Sequence, residues 1–457
     1  MFFREMLASF GWLLLLCIVI PVTLAILPLV ASLSLMVIVG SVVAMQRLVG
    51  LFNLRSLSIP AFFFWIYLAV ILTPGFFVFN SEYSPTRWRF LFGIESVLVT
   101  VPVGIWFSNI VSGFQKKKTH EYYQGPTIAE ALGRRSVLIY KITLSLGVLF
   151  VLINILETPV IPLFFLLRNP GEFLAAAVIR EDSFKLLNSH FTYVYFVLRG
   201  TIFPFLILIA FGRYRQTGEK VWRRLFWISL LIGIFYATLT IEKSPSATIF
   251  GLLFVFFYLL KNGRLGKVAS IMGPVLFLFF PAMVILVAYS GSREGTIAGL
   301  FQALGNRLFY SPAEIVNAYF EVFPAIVPFQ HGASIATFAA VMGWQTVNIP
   351  NAVGLYMTQG TDLDTITANS CFLGNLNADF GLPGVVIGGI VAGYIMQACQ
   401  VFICRKPKTI TNMAAYALMM WSFGLLTISP LPYVLASGGV LFALILRRLF
   451  RPKLLSL

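Results

Sequence analysis

Long apolar runs, each closed by a short polar connector, constrain this chain more than any motif does. A helix that crosses a bilayer needs about 20 mostly apolar residues. The sequence meets that need repeatedly. Residues 12–29 and 30–49 predict two spans, with Pro28 near the turn between them. Further spans are predicted at 59–79, interrupted by Pro74 and Gly75, and at 90–114, 137–167, 191–211, 225–241, 248–260 and 268–289. Residues 382–404, 411–428 and 431–446 complete a set of about twelve by the same length criterion. Composition agrees: 59% of residues are hydrophobic and 11% charged, whereas soluble domains average about 25% charged.

The net charge of +16 does not predict nucleic-acid binding, because of where the cations fall. The connectors at 47–55, 115–135, 213–224, 261–267, 405–408 and 447–453 are rich in Lys and Arg. Those at 80–89, 168–190, 242–247 and 290–382 are mixed or acidic. Basic connectors stay on the cytoplasmic side. The alternation therefore predicts an all-α, polytopic membrane helical bundle with both termini inside. Met1–Met6 runs into the first span without a convincing small-residue cleavage site, which predicts an uncleaved first helix. Cys17, Cys371, Cys399 and Cys404 show no metal-ligand spacing and predict no disulfide framework. No internal repeat is seen, which argues against a transporter built from repeated halves. The whole chain, 1–457, reads as one membrane domain, with 290–383 as a large outer loop expected to hold the active site.

Two sets of residues carry the candidate chemistry. The first is cationic. Arg199 lies inside an apolar span, where a charge is expensive and faces a cavity or a partner. Lys243, Arg293 and Arg307 sit at or just after the outer ends of other spans, and Arg180 lies in an outer connector. Cations converging on one cavity suit a diphosphate. The competing reading is snorkelling, or a local ion pair such as Lys243 with Glu242. The second set is basic in the catalytic sense. Glu294, Glu314, Glu321, His331 and Asp379 are each able to take a proton from an attacking hydroxyl. His331 has the reference pKa nearest neutrality, and Glu321 lies in the aromatic run 319–324. Asp362 and Asp364 lack further spaced ligands, so no metal site and no cofactor are predicted.

Around 369–393 the reading is partly structural. Gly384, Gly388, Gly389 and Gly393 form overlapping small-xxx-small pairs that let helices approach closely. Pro383 suits a first helical turn. Asn375, Asn377 and Asp379 either cap that helix or bind sugar hydroxyls. Tyr310, Tyr319, Trp344 and Tyr356 are candidates for stacking on sugar rings. No phosphate-binding loop, dinucleotide fingerprint, zinc-protease motif or nucleophile elbow occurs. An enzyme of this kind would draw its energy from an activated, lipid-linked substrate.

Residues 369–384, NSCFLGNLNADFGLPG, resemble the N-x-x-F-x-G-x-x-x-A-D-F-G-x-x-G segment of bacterial O-antigen polymerases and related oligosaccharide repeat-unit polymerases. Residues 319–324 with 329–332 are similar to a second segment of that group. The resemblance implies a GT-C-like membrane glycosyltransferase with its active site on the periplasmic side of the inner membrane. It implies transfer of a glycan from undecaprenyl diphosphate to a sugar hydroxyl of a carrier-linked repeat unit, without nucleotide or metal. The implied partners are undecaprenyl-diphosphate-linked oligosaccharides, membrane lipid and a chain-length regulator. On this view Arg199, Lys243, Arg293 and Arg307 hold the diphosphate. His331, Glu321 or Asp379 is catalytic, and Asn375, Asn377 and Tyr319 contact the glycan. An O-antigen ligase, or a polysaccharide flippase or transporter, is the alternative.

Overall fold

The computed structural model describes residues 28–81, 85–128, 134–169, 171–186, 189–264, 299, 302, 305–359 and 368–450. Every regular element among them is helical. Among the described residues, seven helices are long and apolar enough to cross a membrane: Ile59–Asn80, Thr86–Ser112, Arg135–Glu157, Phe191–Thr217, Lys220–Thr238, Phe372–Cys404 and Leu431–Leu449. Leu33–Leu48 and Ser244–Leu260 are apolar but shorter. The architecture is that of a helical membrane protein. The expected spans at 12–29 and 268–289 fall almost wholly outside the described residues.

Proline placement explains the irregular turns inside these helices. Among the described residues, π-turns occur at Leu68–Leu72, Leu198–Ile202 and Asn306–Tyr310. Each ends two residues before a proline: Pro74, Pro204 and Pro312. Proline lacks the N–H that would bond four residues back, and its ring crowds that carbonyl. A wider turn absorbs the mismatch and the helix runs on. Pro74 and Gly75 therefore do not interrupt the third span. Gly75 is instead the seat for Ile94, which a Cβ there would meet at 2.6 Å.

The chain forms two compact units. The first comprises Met1–Glu121, Asn306–Cys404 and Phe423–Pro432. Its frame is the crossing of the Pro85–Ser112 and Phe372–Cys404 helices. A Cβ at Gly104 would lie 2.0 Å from the Ile390 carbonyl oxygen, and one at Gly393 would lie 2.3 Å from that of Val101. One at Gly389 would lie 2.1 Å from Thr100 Oγ1. The helices thus touch backbone to backbone, as small residues permit. Gly384 and Gly388 serve a different contact, with Leu376 and Phe380 of the same helix.

That internal contact arises from a break. Gly381, at φ 66° and ψ −160°, divides Phe372–Cys404 into two helical segments. Only glycine adopts this conformation readily. Pro383 lies in the first turn of the longer segment, as expected. Residues 372–380, inside the stretch expected as an outer loop, are helical. The preceding stretch is also more ordered than a loop, with helices at Ser311–Val322, Ala336–Met342 and Ile349–Met357. Asn348 caps the last, accepting from the Asn351 N–H at 3.3 Å. Tyr319, Val322, Ile349, Val353 and Ala378 form one buried apolar cluster that locks these pieces together.

The second unit comprises Tyr122–Gly305, Arg405–Ser422 and Tyr433–Leu457. Ile207, Leu230, Ala237 and Ile249 join three of its helices in one core. Gly218, in left-handed conformation, ends the Phe203–Thr217 helix. The Lys408 ammonium ties separate segments, donating to Tyr123 O at 2.6 Å, Gly125 O at 3.2 Å and Asn262 Oδ1 at 2.7 Å.

Candidate functional site

Asp379 organises the first unit's non-spanning stretch. Its side chain is buried on the short Phe372–Phe380 segment. Oδ1 accepts from the Gly332 N–H at 3.1 Å and the Ser334 N–H at 3.4 Å, and Oδ2 accepts from Ser334 Oγ at 2.5 Å. Backbone contacts reinforce this. The His331 N–H donates to Asp379 O at 2.8 Å and the Gln330 N–H donates to Ala378 O at 2.9 Å. The Gly332 and Ser334 N–H groups converge on one carboxylate oxygen, while the Ala333 N–H between them turns back to Gln330 O at 2.9 Å.

This clamp holds a strained turn. His331 has φ 51° and Gly332 φ 97°. A left-handed non-glycine residue persists only where its surroundings over-determine it, and the five hydrogen bonds to 378–379 do so. The His331 side chain remains exposed. The turn therefore presents an imidazole to solvent while Asp379 holds it from beneath. An imidazole so placed suits proton transfer. Asp379 spends both oxygens on the turn and acts by position.

Glu321 is the second candidate base. It is half-buried on Ser311–Val322, where Oε1 accepts from Asn317 Nδ2 at 2.8 Å and Oε2 from Tyr356 Oη at 3.3 Å. Partial burial and the Glu321 charge raise the Tyr356 phenol above its ordinary value, so it stays a donor. Glu314 is exposed on the same helix.

The expected glycan contacts fall differently. Tyr319 is fully buried, and its hydroxyl donates to Ala368 O at 2.8 Å. It forms part of the site's floor; its ring is closed to a sugar, correcting the stacking expectation. Burial raises its phenol pKa as well. Asn377 is also buried and donates to Tyr319 O at 3.4 Å. Asn317 Oδ1, Ser370 Oγ, Asn375 Nδ2 and Asn377 Oδ1 are buried without a hydrogen-bond partner. Such groups carry a cost unless water or a ligand satisfies them. Tyr310, Trp344 and Tyr356 are partly exposed.

The candidate cations fall in different units. Arg307 is exposed on the Asn306–Tyr310 turn of the first unit. Arg199 and Lys243 belong to the second unit. Arg199 is buried and already partnered. Nη2 forms an ion pair with Glu242, and Nη1 donates to Thr240 Oγ1 at 2.7 Å and Tyr195 Oη at 3.1 Å. Its guanidinium also lies over the Tyr195 and Phe196 rings. The Glu242 carboxylate pairs with Arg199; the side chain of Lys243 lies outside the described residues. Lys243 opens the Lys243–Leu260 helix. Arg293, Glu294, Asp362 and Asp364 lie outside the described residues. No cluster of three His, Cys, Asp or Glu side chains occurs among the described residues.

One carboxyl escaped the sequence reading. Glu95 lies within the Thr86–Ser112 span. Its side chain meets Ser34, and its Oε1 has no hydrogen-bond partner. An ionisable residue inside an apolar span was the available signal. Compared with known proteins, the chain matches no family model, no curated protein and no solved structure.

Proposed function

We propose that this chain is a bacterial inner-membrane glycosyltransferase that polymerises lipid-linked oligosaccharide repeat units. The active site faces the periplasm and both termini face the cytoplasm. The observation that carries this reading is the exposed His331, held in a left-handed turn by buried Asp379, within the stretch that resembles repeat-unit polymerases. A sugar hydroxyl of the acceptor attacks the anomeric carbon of the donor glycan and gives its proton to His331. The bond between that carbon and the diphosphate oxygen breaks, and undecaprenyl diphosphate leaves with the electron pair. Arg307, exposed on the same unit as His331, stabilises that diphosphate. Glu321 and Tyr356 orient the acceptor.

A second reading is a flippase for the same lipid-linked unit. Its support is the charge inside the spans: Glu95, and Arg199 paired with Glu242.

Deleting the gene and resolving surface polysaccharide on a gel separates the two. A polymerase defect leaves lipid core carrying a single repeat unit; a flippase or ligase defect leaves core alone. His331→Ala in the restored gene should give the single-unit pattern with normal membrane abundance. A wild-type ladder from His331→Ala removes the assignment of the base.

A further inference from the structure

Residues 333–347 form a loop closed at its base. The Val347 N–H donates to Ala333 O at 3.0 Å, and the Trp344 N–H to Ala339 O at 2.8 Å. Between them lies the Ala336–Met342 helix, ended by left-handed Gly343. That helix buries only Ala339. Phe338 is 41% exposed, Val341 84%, Met342 49% and Trp344 42%. From Val322 through Thr361 the sequence contains no Asp, Glu, Lys or Arg. A contiguous apolar surface without charge marks a binding face.

The position of the loop indicates what covers that face. A Cβ at Gly332 would lie 2.7 Å from the Phe338 ring and 3.2 Å from the Phe380 ring. Both rings therefore sit around the same glycine. Phe380, Ile387 and Val391 are all exposed. Ile387 and Val391, four residues apart, share one face of the longer segment, and Phe380, before the break at Gly381, packs against Gly384 at the start of that segment, where a Cβ would meet it at 2.5 Å; this face is the apolar stripe of the Phe372–Cys404 span. The apolar loop continues that stripe at its N-terminal end. The backbone bonding within the loop suits entry into an apolar phase, and tryptophan favours the membrane–water boundary.

We infer that residues 333–347 dip into the bilayer beside the Phe372–Cys404 helix, with lipid as the partner of this surface. The loop springs from the turn that carries His331, so lipid contact sets that imidazole at headgroup height. This inference stands whether or not the chain is a transferase.

The test uses the full-length chain in nanodiscs of phosphatidylethanolamine and phosphatidylglycerol. A nitroxide is attached to Val341→Cys after replacement of Cys17, Cys371, Cys399 and Cys404 by Ser. Collision with oxygen should exceed collision with a water-soluble nickel chelate several-fold. The reverse order overturns the inference, as does low collision with both, which indicates cover by protein. Where the cysteine-free chain does not fold, the wild-type chain and Trp344→Phe are compared instead. The fluorescence lost with Trp344 should be quenched by acyl-brominated lipid. Quenching of that component by aqueous iodide alone, or by neither agent, overturns the inference.

Discussion

Asp379 and Arg199 are both buried ionisable side chains near one end of a long apolar helix, yet they dispose of charge in opposite ways. Arg199 meets a carboxylate, so its cluster of Arg199, Glu242, Thr240 and Tyr195 is close to neutral. Asp379 accepts from the donors of one turn, and the charged group that acts on it is the His331 imidazole of that same turn. A neutralised pair stabilises a junction between segments. A retained charge, shared among backbone N–H groups, keeps a local field beneath His331. The comparison assigns the first to architecture and the second to chemistry. It also weakens the case for Arg199 as a diphosphate ligand, because Glu242 already occupies the guanidinium.

The largest effect should come from breaking the neutral pair. Arg199→Ala strands Glu242 and Thr240 against an apolar span. Removing one partner of a buried pair costs about 3–5 kcal/mol. The lower figure applies, since Glu242 keeps 25% of its side chain exposed. Folded protein in detergent, measured by fluorescence-detected gel filtration after heating, should fall sharply. Arg199→Met combined with Glu242→Leu should recover most of it. A double variant that is stable yet forms no ladder would return Arg199 to the site and break the comparison.

The helical, membrane-spanning character of the chain is readable from its residues, because the length of an apolar run is a local property. The same holds for Pro383 in a first helical turn and for the close approach at Gly389 and Gly393. What escaped depends on partners distant in sequence. Nothing near Asp379 announces Gly332 and Ser334 as its donors, and nothing near Glu242 announces Arg199. The two candidates offered for Glu242 and Tyr319 were the nearest plausible ones, an adjacent lysine and a sugar. Pro383 opens a helical segment, as its residue type suggests; that residues 372–380 before the Gly381 break are helical too depends on distant partners, with Ala378 packed in one cluster with Tyr319 and Val353. Glu95 was legible and was passed over.

A middle-sized effect should follow from Asp379→Asn. The amide keeps an acceptor oxygen but loses the charge that strengthens bonds from Gly332 and Ser334, worth about 1.5–3 kcal/mol between them. Chain extension should drop, by no more than it does in His331→Ala, with the protein still in the membrane. Because Asp379 acts through His331, the double variant should be no worse than the more severe single one. Additive losses would make Asp379 an independent participant.

The smallest effect should come from Ser334→Ala, which tests whether the clamp is held by its backbone donors or by the hydroxyl. The substitution removes the bond to Oδ2 and leaves both bonds to Oδ1 in place. A single such bond contributes about 1 kcal/mol net, somewhat more when the acceptor is charged. Loss of about 1 kcal/mol in the turn's local stability should leave most His331 turns intact. Polymer length on the gel should shorten without vanishing. Ser334→Thr, which keeps the hydroxyl, should restore it. If Ser334→Ala instead matches Asp379→Asn, the hydroxyl carries the clamp, and the retained charge on Asp379 loses its claim to a role in the chemistry.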